Sequence, residues 1–243
     1  MPSTAPREGK LILTPAIPAD APRIAELHMA GFGNDPILLA AFPTPAVRDA
    51  LQRDLEARTV REIGSSRMSV LVVRCVEYEG EEKHDEGRGV DGVEEGKRKS
   101  TVVSLAKWAH PMAEAEEGQH VEEQPRARPE GTVVRILERY HEELEKVQSK
   151  VIGKTPCYRL NFVATDPSYR RRGAATQLLQ WGIERSKQEG VPIYLESTVE
   201  AGLLYEGLGF VLKGVIPLEF LREETGKEGI GESGKELCFL FVP

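Results

Sequence analysis

Arg170-Arg171-Arg172-Gly173-Ala174-Ala175 lies between a run that alternates like a strand and a run that repeats like a helix. Upstream, Leu160, Phe162 and Ala164 alternate with Asn161, Val163 and Thr165 until Asp166-Pro167 stops the pattern. Downstream, Ala175, Leu178, Leu179, Gly182, Ile183 and Ser186 recur at helical spacing, and Gly190 stands where a helix stop is expected. The six residues therefore join a strand to a helix N-terminus. The first backbone N–H groups there lack intrahelical partners and the helix dipole is positive, so phosphate oxygens are stabilised. Gly173 and Ala175 keep bulk away, letting the backbone close on a ligand. Arg170 to Arg172 add positive charge beside it. An arginine run alone is usually a solvated surface loop; the residues after the helix separate the two readings.

Pro192, Ile193 and Leu195 begin a second strand, and Val199 to Leu208 form a short helical segment ended by Gly209-Phe210. Arg-x-x-Gly-x-Ala, helix, strand, then Ala201-x-x-Leu204-Tyr205-x-x-x-Gly209-Phe210 resembles the acetyl-CoA-binding half of the GNAT superfamily of N-acetyltransferases, in the manner of its insertion-bearing eukaryotic members. The resemblance covers residues 157–220 well and the remainder loosely. It implies an α/β fold with a mixed, mostly antiparallel central sheet flanked by helices, and acetyl-CoA as acyl donor. It also implies that the backbone amides of Arg171, Arg172, Gly173, Ala174, Ala175 and Thr176 bind the pyrophosphate, with Arg170 opening the motif. The pantetheine arm is then expected along Phe162, Val163, Ala164 and Thr165, paired as an added strand would be. Tyr205 matches the tyrosine that protonates the departing thiolate in many relatives; its other reading is a packed aromatic. Phe210 and Leu208 read as core, and Gly209 as a left-handed helix end.

The attacking amine must be neutral, so a group must take its proton. Glu196 near its strand end, Asp166 beside the motif and His110 after the Trp108 strand are the candidates, and each also has an ordinary reading as a surface or capping group. On the acceptor side, Phe32 and Asp35 sit with Asn34 and Pro36 in a connection between helices. An aromatic and a carboxylate there suit a cationic amine; the same residues also read as a turn whose side chains bond their own backbone.

The remaining elements follow from pattern. Lys10 to Thr14 reads as a first strand, Asp20 as a helix cap before Ile24 and Leu27, and Pro45 to Ile63 as a second helix. Met68 to Val76 and Thr101 to Trp108 form a Val-rich hairpin. Residues 79–100 and 113–130 are polar insertions expected to be flexible, within one domain spanning 1–243. A helix from Thr132 to Lys150 is expected to turn Val134, Leu137, His141 and Leu144 inward, with His141 a packing residue, and to lie over the acceptor side. Glu223 to Glu236 reads as a third polar loop before a last strand, Leu237 to Val242.

The net charge of −7 belongs to the insertions: nine acidic against five basic residues between Glu77 and Lys99, and six against two between Ala113 and Glu130. The rest is close to neutral, without the basic footprint of a nucleic-acid binder. Cys75, Cys157 and Cys238 are widely spaced in apolar segments, without metal-ligand spacing, and read as buried thiols. No segment has the length of a membrane span or the order of a signal peptide, so a cytoplasmic or nucleocytoplasmic setting is expected, with neither membrane nor metal. The expected activity is transfer of acetyl to an amine in a ternary complex, the acceptor being a small molecule. A protein or peptide acetyltransferase and a non-catalytic acyl-CoA sensor remain alternatives.

Overall fold

β-branched residues recur along Met68–Tyr78 and Arg98–Ala109, and these two strands form the longest ladder of the sheet, from Met68 opposite Ala109 to Tyr78 opposite Arg98. The computed structural model describes residues 9–33, 35–78, 98–112, 128–226 and 234–243. The hairpin extends beyond its apolar part because Ser100, Lys99 and Arg98 continue to pair with Val76, Glu77 and Tyr78. Main-chain bonds do not require apolar side chains, so composition alone placed those three residues in the preceding loop. Of the expected insertions, residues 79–97 and 113–127 lie outside the described residues, as does Asn34.

Among the described residues seven strands form one sheet: β1 (Lys10–Pro15), β2 (Met68–Tyr78), β3 (Arg98–Ala109), β4 (Tyr158–Thr165), β5 (Ile193–Ser197), β6 (Val211–Pro217) and β7 (Lys235–Phe241), in the order β1-β2-β3-β4-β5-β7-β6. Every neighbouring pair is antiparallel except β4 with β5, so the expected mixed α/β sheet is present. Helices α1 (Ala21–Gly31), α2 (Pro36–Ala41), α3 (Pro45–Ile63), α4 (Val134–Val151), α5 (Ala174–Glu189), α6 (Gly202–Gly207) and α7 (Phe220–Thr225) complete the fold.

Strand alternation sends side chains to two faces. Leu71, Val73, Trp108, Leu195 and Phe239 join Leu178 and Leu179 of α5 on one face. On the other, Val70, Val72 and Leu105 meet Ile24 and Leu27 of α1, while Tyr194, Ile216 and Cys238 meet Ile136 of α4. In α5 the buried small residue at the start is Ala174 rather than Ala175; the rest of the expected face is as read. All three cysteines are free and buried. No helix among the described residues is long and apolar enough to cross a membrane.

The face of α4 differs from the expected stripe. Ile136 is its buried residue, with Tyr140, Leu144, Val147 and Val151 packed partly behind it, while Val134 and His141 are exposed. The run 136, 140, 144, 147, 151 keeps helical spacing, rotated from the expected stripe, and it brings Tyr140 inward in place of His141.

Gly182 of α5 lies against the Trp108 ring, where a Cβ would overlap three ring atoms, the third of them at 2.8 Å. Gly182→Val therefore forces a fully buried tryptophan out of position. A loss of about 3 kcal/mol is expected, seen as a drop of about 6–12 °C in a thermal melt of a chain this size; an unchanged melting temperature would show that the ring can move freely.

Candidate active site

β4 pairs with β5 only through Tyr158, Arg159 and Leu160, opposite Ile193, Tyr194 and Leu195. Beyond Leu160 the two strands diverge, while β4 stays paired with β3 as far as Thr165 opposite Ser104. The Asp166 N–H donates to Val103 O at 2.8 Å, and Ala164 O accepts Ser104 Oγ at 2.8 Å. Main-chain groups alternate along a strand, so Val163 and Thr165 present theirs to the gap. Thr165 O accepts only a long bond from Arg170 Nε, at 3.5 Å. A cavity of about 700 Å³ opens here, lined among others by Phe32, Asp35, Val163, Glu196, Tyr205 and Glu236.

At the end of β4, Asp166 accepts from the Ser168 N–H at 2.9 Å and pairs with Arg23, which fixes the start of the loop. Arg171 (φ 62°) and Gly173 (φ 83°) both adopt left-handed backbone, and Gly173 caps α5 without any side-chain bond. The Gln177 N–H is already bonded to Gly173 O, whereas the amides of Ala174, Ala175 and Thr176 precede the first helical bond. A Cβ on Gly173 would meet nothing within 4 Å, so the space before these amides is open. Arg170 and Arg171 are exposed beside it. Arg172 departs from the expected arginine cluster: its guanidinium lies 5.3 Å from the Tyr169 ring centre and Nη2 donates to Gly9 O at 3.2 Å. Its side chain binds the loop to the body of the protein, while its main chain stays in the loop.

Tyr205 on α6 packs at 5.7 Å from both Phe210 and Phe239 and is 3% exposed, yet lines the cavity. Burial raises its phenol above the usual value, so it holds its proton. Phe32 packs at 4.9 Å against Phe162, whose ring stacks on His28 at 3.7 Å. Burial first, then the charges of Lys107 and Arg58, lower the His28 pKa to about 3 and leave that ring neutral.

Three carboxylates meet at the opposite wall. Asp35 accepts from the Leu38 N–H at 2.8 Å as the cap of α2, and burial raises its pKa. Glu196 on β5 is raised by burial, against the opposing effects of Tyr194 and Arg159. Glu236 on β7 is 8% exposed and accepts a bond from Tyr140 Oη at 2.7 Å. Burial, with Asp35 and Glu196 adding repulsion, brings it up to about 7. Glu196 is paired with Cys238, two residues from Glu236, so both carboxylates stand on one face of the sheet as diagonal neighbours.

Residues 103–210 match the model of the Acetyltransferase (GNAT) family. Over that stretch the chain is similar to the GNAT acetyltransferases. No curated protein sequence matches it. Among solved structures it is similar to a histone acetyltransferase HPA2 and related acetyltransferase from Corynebacterium glutamicum, at 24% identity and a TM-score of 0.55 over 96% of each chain. It is also similar to the polyamine N acetyltransferase of Drosophila melanogaster, at 13% identity and a TM-score of 0.56, covering 96% of this chain and 100% of that one. A mosquito arylalkylamine N-acetyltransferase like 5b shares 17% identity at a TM-score of 0.55, with 96% and 100% covered.

Within the GNAT-like stretch and its flanks, the cavity gathers Arg170, Phe162, Val163, Glu196, Tyr205, Phe32 and Asp35 from the residues expected at the site. The short connection before Pro36 opens a helix that turn chemistry had concealed, and the Asp35 carboxylate both caps that helix and faces the cavity. Two other expected carriers of a proton lie elsewhere. Asp166 is held by Arg23 and Ser168, and His110 Nε2 bonds Ser69 Oγ at 2.8 Å; neither lines the cavity. Glu236 and Tyr140 were missed. The available signal was parity: Cys238 is an inward residue of β7, and Glu236 shares its side of the strand.

Proposed function

We propose that the chain transfers acetyl from acetyl-CoA to a small cationic amine by direct attack in a ternary complex. The supporting observation is one cavity that unites the open edge of β4, the buried Tyr205 and three carboxylates, Glu236 buried and Asp35 and Glu196 half-buried. Buried negative charge favours an ammonium ion and guides it inward. The structural neighbours named for polyamines and arylalkylamines point the same way.

In this reading the amides of Arg171 to Thr176 hold the pyrophosphate, and the edge of Phe162 to Thr165 pairs with the pantetheine arm. The Val163 amide, facing the gap, polarises the thioester carbonyl. Phe32 and Asp35 receive the amine, and Glu196 belongs to the carboxylate wall around it. Tyr205 gives a proton to the thiolate as it leaves. Most of the rate comes from holding amine and thioester together. Three free, buried thiols fit a reducing, cytoplasmic setting.

The reading is tested by acetyl-CoA-dependent thiol release across polyamines, arylalkylamines, amino acids and short peptides, with a no-acceptor blank for the protein's own cysteines. Release with small cationic amines is expected; release with peptides alone would overturn the small-molecule assignment. Tyr205→Phe keeps the packed ring and removes the proton. Turnover should fall on the order of tenfold to several hundredfold while acetyl-CoA affinity holds; equal losses in both would reduce Tyr205 to a packing residue.

A further inference from the structure

We infer that Glu236 is the group that takes the proton from the acceptor amine, and that Tyr140 of α4 is the residue that positions it. The inference rests on the proposed acetyl transfer and assigns a role within that same cavity. Glu236 is the buried member of the three wall carboxylates and accepts a bond from Tyr140 Oη at 2.7 Å, while Asp35 is occupied by the Leu38 N–H at 2.8 Å as a helix cap. Burial raises Glu196 as well, but the Tyr194 hydroxyl group and the Arg159 cation both oppose that rise. Burial, then the nearby Glu236 charge, keep the Tyr140 phenol protonated well above its usual value, so it remains a donor. A base works best when its pKa lies near the operating pH, and Glu236 at about 7 meets that condition in a group already placed by geometry.

The titratable groups acting on Glu236 are Tyr140 on α4, Asp35 before α2 and Glu196 on β5, with Arg159 of β4 acting on Glu196; Lys235, next to it on β7, also lines the cavity, and β6 pairs through the apolar Ile216. The proton balance is complete with these residues. An ammonium acceptor gives one proton to the Glu236 carboxylate, and its freed electron pair attacks the thioester carbonyl carbon. The C–N bond forms, the C–S bond breaks, and the departing sulfur takes the Tyr205 proton. The second proton lost by nitrogen restores Tyr205 through water, and Glu236 returns its own to solvent.

Because Glu236 must be ionised to act, kcat/KM should rise with pH through about 7. The ionisation of an alkylamine lies far higher, near 10, so the two limbs separate. Glu236→Gln should remove the limb near 7 and lower kcat by about a hundredfold, with acetyl-CoA affinity by calorimetry retained. Tyr140→Phe takes away the donor that favours the charged carboxylate, so the limb should move to higher pH while the high-pH plateau recovers most of the rate. A merely structural tyrosine would lower the plateau and leave the limb in place. A limb that persists in Glu236→Gln, or that disappears in Glu196→Gln instead, overturns the assignment while acetyl transfer stands. If the unaltered protein releases no thiol with any amine, the proposed function itself fails.

Discussion

Replacing Gly173 with glutamate should abolish measurable acetyl-CoA binding. The residue sits at φ 83°, where a side chain is strained, and the space a side chain would enter is the open ground before the α5 amides. A carboxylate there opposes a pyrophosphate at close range. Two like charges about 4 Å apart at a protein surface cost about 4 kcal/mol, and the left-handed backbone adds about 1–2 kcal/mol. Together they predict a loss of at least a thousandfold in affinity, read by calorimetry. Gly173→Ala separates the causes: it carries the strain without the charge, so a loss on the order of tenfold is expected. Since Gly173 is exposed, the glutamate variant should stay folded, as circular dichroism can check. Normal affinity in that variant would remove the pyrophosphate from this loop.

The largest expected effect on stability lies on the other side of β4. Lys107 of β3 is 4% exposed, and its Nζ lies 2.6 Å from Glu62 Oε2 and 2.8 Å from Thr59 Oγ1, both on α3. Burial lowers the Lys107 pKa and Glu62 counters it. Glu62→Gln leaves that ammonium inside with a neutral partner. Stranding a buried charge costs about 3–5 kcal/mol, or about 6–20 °C in melting temperature at this chain length. Arg58, bonded to Glu62 Oε1 at 2.6 Å, loses its counter-charge as well, but it is exposed enough for water to compensate. Adding Lys107→Met should restore most of the loss, because the pair then leaves together. A Glu62→Gln variant that melts normally would show that Lys107 is neutral in the folded chain.

The two halves of the cleft differ in how clearly sequence announces them. The phosphate loop is a local event, in which a period of two gives way to a helical period across Asp166 to Gly173, and glycine stands at both ends of α5. Such a signal needs only contiguous residues. The acceptor wall is assembled from residues far apart: Tyr140 and Glu236 are 96 positions from each other, and no spacing rule links them. Glu236 is further obscured by the charged run Gly231-Glu232-Ser233-Gly234-Lys235, which reads as loop, although β7 begins at Lys235. In α4 the outward Val134 misled the phase of the stripe, since a valine at a helix end is free to face solvent. Asp35-Pro36 read as a turn, whereas Asp35 caps a helix that Pro36 opens, because a proline in the first turn forfeits no intrahelical bond.

The parting of β4 from β5 after three paired residues has a consequence for heredity. Under the proposed function, the donor is held by peptide groups that every amino acid except proline supplies in full. A mutational survey of Phe162 to Thr165 would then register side-chain packing and pass over the contacts that matter most for acetyl-CoA, except where proline was tried. Such a grip survives while the letters around it change, and a fold shared with proteins only 13–24% identical over nearly their whole length is the kind of record it leaves.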